Sequence, residues 1–378
     1  MKNIARNLTL VGCFGSSAFA APFLAIGDNA ELFVTADVSA AYNDNILLSA
    51  PGTELEDTLF VFKPGFDLTF GKDSAVKGSI IGNSTLSAYS DNNNLNNQLL
   101  GIGANAAYDN GGPLKLKANA SFNELDQPTV DTPSLGKLVE REVTAAGVNG
   151  ELAFSEKISA GAGFGYSHTD YSTAGYTNVW EYSVPVNVYY ELTPKVDVST
   201  GITYTRTDLD QGGANQYEAY YYNVGARGSF TPKLSGSFSV GYITRNVNVG
   251  PDDDDSLGAD ASLAYAYSDK TQLTLALSRK FSNSAAGGAS YENSQITLGA
   301  VNALTADWRL NASITYRTLD YQTFARQDDY IEANVGATYV INAHLTTSLG
   351  YTYRDNSSDA AGADFQNNVV SLSLSARY

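Results

Sequence analysis

Two histidines, His168 and His344, are the only imidazoles in the chain, and they stand on segments far apart in sequence order. The first falls where a long polar connection begins and the second in a tight turn, so they are not expected to share a site. No nucleophile elbow, zinc-binding pair of histidines or phosphate-cradling glycine loop is present. Nor do Ser, His and a carboxylate cluster as a membrane-embedded hydrolase would need. The expectation is therefore a protein that is not an enzyme and needs no cofactor. The one run with metal chemistry is Asp252-Asp253-Asp254-Asp255 after Pro251, whose oxygens suit Ca²⁺. It lacks the spaced ligands of a dedicated cation loop and reads rather as a solvated, self-repelling loop.

Polar residues, most of them charged, are dotted singly among Gly, Ser, Thr and Asn: Lys63, Asp67, Lys77, Lys115, Lys117, Asn149, Glu151, Glu181, Asn187, Asp197, Arg227, Arg245, Asp260, Arg317, Glu332, Asn334 and Arg354 mark a polar series. Each sits in a stretch where polar and apolar residues alternate. Leu234, Gly236, Phe238, Val240 and Tyr242 point one way, and Ser235, Ser237, Ser239 and Gly241 the other. The same holds for Ile158, Ala160, Ala162, Phe164 and Tyr166 against Ser159, Gly161, Gly163, Gly165 and Ser167. A period of two means strands with one greasy and one wet face.

These strands are organised by turn-like clusters: Gly71-Lys72-Asp73, Asn110-Gly111-Gly112, Ser155-Glu156-Lys157, Thr193-Pro194-Lys195, Thr231-Pro232-Lys233, Ser268-Asp269-Lys270, Thr305-Ala306-Asp307 and Ile341-Asn342-Ala343. They recur about every 36 to 39 residues, with one interval of about 45, and each interval holds two alternating runs joined by a longer polar stretch. Adding an opening strand near Leu32 to Tyr42 and a closing one near Phe365 to Tyr378 gives about eighteen strands. The expected fold is all-β, a transmembrane antiparallel up-and-down barrel with short periplasmic turns and long extracellular loops. Closure pairs every backbone group that lipid would otherwise strand. A barrel of that size has room for water, so the polar series becomes the candidate pore lining.

Composition agrees. Charged residues make up 17% of the chain, with 25 Tyr and 34 Gly, and no apolar run is long enough for a helical span. A mean hydropathy of -0.19 is compatible with a barrel, which hides its apolar residues at alternate positions. Two aromatic girdles are expected, with Phe122, Tyr166, Trp180, Tyr204, Tyr242, Tyr316 and Tyr351 toward the long loops and Phe70, Phe154, Phe230, Tyr267 and Tyr339 toward the turns. The net charge of -17 speaks against nucleic acid. Near the outer rim Tyr204-Thr205-Arg206, Tyr242 to Arg245, Tyr316-Arg317 and Tyr351 to Arg354 set an aromatic ring beside a guanidinium, a pairing that suits sugar rings or a plain girdle.

The start reads as an export leader: Lys2 and Arg6, apolar residues from Leu8 to Phe19, and Ala18-Phe19-Ala20 as the cleavage signal. The expected divisions are residues 1–20 as signal peptide, 21–31 as a short periplasmic segment and 32–378 as the outer-membrane barrel. Leu10-Val11-Gly12-Cys13 resembles a lipoprotein box, but it lies close to Arg6 and the apolar stretch runs past it. Cleavage after Ala20 removes Cys13, the only cysteine, and leaves no disulfide. The last strand alternates Val370, Leu372, Leu374, Ala376 and Tyr378 with Ser371, Ser373, Ser375 and Arg377, and its terminal aromatic resembles the signal read by the outer-membrane insertion machinery.

One further short pattern carries a resemblance. The strand ending Ala41-Tyr42-Asn43-Asp44-Asn45-Ile46, followed by Phe60-Val61-Phe62-Lys63-Pro64-Gly65-Phe66, resembles the β-barrel porin type 2 family. That resemblance implies an outer-membrane barrel of a Gram-negative bacterium, associated with exopolysaccharide or capsule production. Its implied partners are polysaccharide and periplasmic export components, besides membrane lipid and lipopolysaccharide. The residues themselves indicate only a wide polar-lined barrel, so passage of polar solutes stands beside polysaccharide export. The alternative is a structural or adhesive barrel whose acidic loops bind a partner or divalent cations.

Overall fold

The computed structural model describes residues 22–131, 136–210, 216–248, 254–284, 288–322 and 325–378. The expected leader with its cleavage site, and Asp252 and Asp253, lie outside the described residues.

Within them the strands are β1 (Leu24–Ile26), β2 (Ala30–Asn43), β3 (Asp57–Phe70), β4 (Val76–Tyr89), β5 (Asn97–Asp109), β6 (Leu114–Leu125), β7 (Arg141–Ala153), β8 (Ile158–Tyr171), β9 (Val179–Thr193), β10 (Val196–Leu209), β11 (Tyr217–Ser229), β12 (Leu234–Val247), β13 (Asp254–Ser268), β14 (Thr271–Asn283), β15 (Ser290–Ala303), β16 (Trp308–Tyr321), β17 (Gln327–Val340), β18 (Leu345–Ser358) and β19 (Phe365–Arg377). From β2 onward each strand pairs antiparallel with the next, and β19 pairs with β2, so the sheet closes. The result is an eighteen-stranded barrel, as the turn spacing predicts.

All eight turn clusters join strands at one end of the barrel. The recurrent Ser or Thr explains why these turns are tight. Oγ of Ser155, Thr231, Ser268 and Thr305 each accepts from the backbone N–H groups two and three residues on. The hydroxyl satisfies donors that a reversing chain would otherwise leave unpaired.

Alternation sorts the wall as expected. Val38, Phe62, Val224, Val240, Leu298 and Leu372 stand exposed on the outside. Such a ring of apolar side chains needs hydrocarbon around it. The buried apolar clusters all lie toward the long-loop end. Ile46, Leu47 and Tyr89 form one, Val139 and Tyr176 another, and Tyr217, Ala219, Ile243 and Phe281 a third. The fourth joins Val130 to Ala289, Tyr291, Leu319, Tyr321, Tyr330 and Phe365. The core is made at the long-loop mouth, by strand ends together with the loops that fold over them.

The seam between β19 and β2 is where the sequence motif sits. Asp44 accepts from the backbone N–H of Asn368 at 2.6 Å and from its Nδ2 at 2.7 Å. Asn367 donates to Asn43 Oδ1 at 2.5 Å, and Asn45 donates to the Gln366 carbonyl at 2.9 Å. At the other end Tyr378 exchanges backbone bonds with Val34, and β1 continues the ladder on β2 from Leu32 to Ala30. On β3, the Pro64-Gly65 segment fits a tight wall. Lys63 and Pro64 have no partner in the β4 register, and a Cβ at Gly65 would lie 2.7 Å from the Gly82 carbonyl.

Candidate functional site

The barrel encloses a cavity of about 2410 Å³. Lys63, Lys115, Lys117, Glu151, Glu181, Arg227, Asp260, Arg317, Glu332 and Arg354 border it. Asp67 and Asp197 meet it through ion pairs, to Arg377 and Arg227 respectively, each at 2.9 Å. Arg245 lies apart from it, fully buried with its guanidinium over Phe281 and donating to Ser290.

Near the turns the charges form a strap on β7 to β11. Arg227 donates to both oxygens of Glu151 at 2.8 and 2.7 Å and to Asp197 at 2.9 Å. Its guanidinium lies 3.6 Å from the centre of the Tyr189 ring. Asp197 is on the adjacent strand, but Glu151 is on β7, so the arginine passes over three intervening strands. Gly161 makes this possible, because a Cβ there would sit 3.2 Å from the Tyr189 ring. Opposite, Glu332 and Arg354 pair between neighbours β17 and β18 at 3.0 Å, with Asn334 and Asn367 as further partners.

Above these pairs the loop between β6 and β7 crosses the lumen. Its base is closed by the Val139 N–H bond to the Asp126 carbonyl at 2.7 Å, and Arg141 donates to the Gln127 and Val139 carbonyls. Its tip reaches β15 and β16, halfway round the barrel from β7. There Asp131 accepts from Arg317 at 3.1 and 2.7 Å and from the Tyr291 hydroxyl at 2.9 Å, while Val130 enters the aromatic cluster. Burial alone would raise the Asp131 carboxyl, but the adjacent Arg317 charge and these hydrogen bonds hold it below its ordinary value. Asp126 at the base is shifted the other way, since burial outweighs its bonds from Gln127 and Asn97.

A second element comes in from the far side. Above the Ala259 to Arg279 pair, β13 stays with β12 up to Asp254 while β14 stays with β15 up to Asn283, so the wall divides. The freed end of the β14–β15 hairpin packs inward. Phe281 meets Tyr217, Ala219 and Ile243, lumen-side residues of β11 and β12, and a Cβ at Gly288 would lie 2.7 Å from Leu209. Ala289 and Tyr291 of this hairpin then meet Val130 of the crossing loop. Two segments from opposite walls thus narrow the long-loop mouth.

Sequence reasoning found Arg317 but not Asp131. The available signal was Val130, Leu138 and Val139, apolar residues in a connection otherwise expected to be polar. The aromatic and guanidinium pairs do not form sugar platforms inside the barrel. Tyr316 and Arg317 are adjacent on a strand and so lie on opposite faces. Tyr242 and Tyr316 face outward and donate to Asp255 and Asp329 at 2.6 and 2.7 Å. His168 stacks on Trp180 at one rim, whereas His344 sits in a turn at the other, beside Tyr378. Among the described residues no group of three or more His, Cys, Asp or Glu could hold a metal.

A family model described as "Putative beta-barrel porin 2" matches residues 32–378. No protein of curated function matches the chain. Among solved structures, Pseudomonas aeruginosa OpdO is similar with a TM-score of 0.50 and 13% identity, covering 92% of this chain and 97% of that one. P. aeruginosa OccK9 (OpdG) has a TM-score of 0.49 and 13% identity over 92% and 98%. The outer membrane protein opdK of the same organism has a TM-score of 0.48 and 10% identity over 92% and 99%. At such identities the likeness is one of fold.

Proposed function

Because the chain belongs to the "Putative beta-barrel porin 2" family and forms a porin-type channel in the Gram-negative outer membrane, we propose that it passes hydroxylated polar solutes, with an extended polysaccharide chain as its specialised cargo. The carrying observation is the wall itself. From β12 round to β19 hydroxyls and amides, among them Ser237, Ser262, Thr274, Gln295, Thr315 and Ser373, line the cavity between scattered charges, of which Glu332 and Arg354 pair with each other. Hydroxyl and amide groups exchange hydrogen bonds with a sugar as readily as with water, so a glycan slides along such a surface without a deep well. The loop held by Arg317 and Asp131 sets the width at the outer mouth. Ten charged residues of the polar series serve as the lining, Asp67 and Asp197 act through their arginine partners, and Arg245 braces the hairpin behind it. The leader ending at Ala20 delivers the chain to the envelope.

Liposome swelling tests the reading. Purified protein in vesicles should admit glucose and maltose, and larger oligosaccharides should enter faster when residues 127–138 are replaced by a short Gly-Ser linker. Vesicles that exclude glucose with either form would overturn it.

A further inference from the structure

Lys63, Lys115 and Lys117 border the cavity in one sector, and the register puts Lys77 on the same face of the sheet, toward the turns. Lys63 stands on β3, Lys77 on β4, and Lys115 and Lys117 on β6. Lys77 and Lys117 pair with Ala107 of β5 from its two sides, so one row across the sheet reads Lys, Ala, Lys. Adjacent strands lie about 4.8 Å apart, which places the two backbones about 10 Å apart with only a methyl group between them. Lys115 is two residues nearer the turn on the same face.

Two of the four meet acids only in part, and two meet none. Lys115 has Asp109 at 3.6 Å, with both side chains largely exposed, and Glu151 opposite it on β7, a carboxylate already held by Arg227. Among the described residues Lys63, Lys77 and Lys117 form no ion pair, although Asp37 is the register neighbour of Lys63. Two guanidinium groups in the lower lumen differ: Arg227 and Arg377 are each held by carboxylates. Like charges on one face of a sheet repel, and a chain of net charge -17 has acids enough to have neutralised them. A sector in which unpaired lysines outnumber unpaired acids concentrates counter-ions. Across the lumen, on β12 to β15, stand the hydroxyls of Ser237, Ser239, Ser262, Thr274 and Thr297.

We propose that the lysine sector is an anion-binding entrance at the turn-side mouth, and that the solute bears carboxylates as well as hydroxyls, as an acidic glycan does. This rests on the channel reading and adds the charge of the cargo. Lys77 and Lys117 engage carboxylates spaced along the solute, and the facing hydroxyls take its sugar hydroxyls.

Planar bilayers separate the two readings. Under a KCl gradient the wild-type channel should prefer chloride, and oligogalacturonate added on the turn side should block current where maltooligosaccharides of equal length do not. In Lys77→Gln/Lys117→Gln the block should weaken about fivefold for each lysine lost, the size of one contact between unit charges in water. Lys72→Gln, in the adjacent turn, should leave it unchanged. Monomeric galacturonate blocking as well as the oligomer would support the site with a small carboxylate as its ligand; block by the oligomer alone would support it with a chain. A channel that conducts without ion preference and responds equally to charged and neutral sugars overturns this inference and leaves the channel standing. Absence of conduction overturns the channel reading itself.

Discussion

Asp131 and Arg317 meet through two guanidinium nitrogens at 3.1 and 2.7 Å although 186 positions of sequence separate them. The pair pins a loop that starts on one wall to the wall opposite. Both side chains are mostly buried, so removing one partner leaves the other charge uncompensated, at a cost of about 3 kcal/mol to loop docking. Asp131→Ala should therefore expose residues 126–139 to limited proteolysis while the barrel stays resistant. A loop as protected as in the wild type would refute the latch.

The same pair fixes a pH dependence. The Asp131 carboxyl is held below its ordinary value of 3.8, so the stabilisation it gives is fully present above that value and is lost as pH falls through the lowered one. Proteolytic protection of the loop should be flat from neutral pH down to about pH 4 and decline only in stronger acid. Loosening already near neutral pH would mean another group controls the loop.

At the seam, Asp44 joins the first full strand to the last. Hydrogen bonds to a charged acceptor contribute about 1.5 to 3 kcal/mol each, so Asp44→Ala should lower the temperature at which the folded band is lost on unheated gels. Asn367→Ala should act in the same direction, because its side chain bonds Asn43 across the same seam. A mobility transition unmoved by either substitution would show that the backbone ladder alone closes the barrel.

The two faces of β12 give the sharpest contrast over the shortest distance. Phe238→Lys puts a charge in hydrocarbon at a cost of about 2 to 4 kcal/mol near the midplane, and Ser237→Lys puts it in water. Folding into lipid vesicles should fail or slow for the first and proceed for the second. Equal tolerance would mean that the outer face does not meet lipid.

The wall was legible in the sequence because its determinants are local. A period of two sorts the faces, and a Ser or Thr before a reversal, as at Thr231 and Thr305, marks the turn within a few residues. What the loops do was not legible, because their destination depends on closure of the ring. Nothing near Asp131 in sequence names Arg317 as its partner, and the division of the wall above Ala259 leaves β13 and β14 with ordinary alternating sequences. Alternation places the candidate lining residues on strands, but pairing is a three-dimensional matter. Arg227 finds Asp197 next door and Glu151 four strands away, and Arg245 ends beneath a hairpin that local pattern gives no reason to bend inward.

Single-channel conductance of the wild type, Asp131→Ala and Arg317→Ala, recorded in one bilayer system at neutral pH, bears most directly on the claim that this latch sets the width of the path. Both variants should show larger and noisier openings than the wild type, by similar amounts, since either change frees the same loop. Conductance and noise indistinguishable among the three would contradict it.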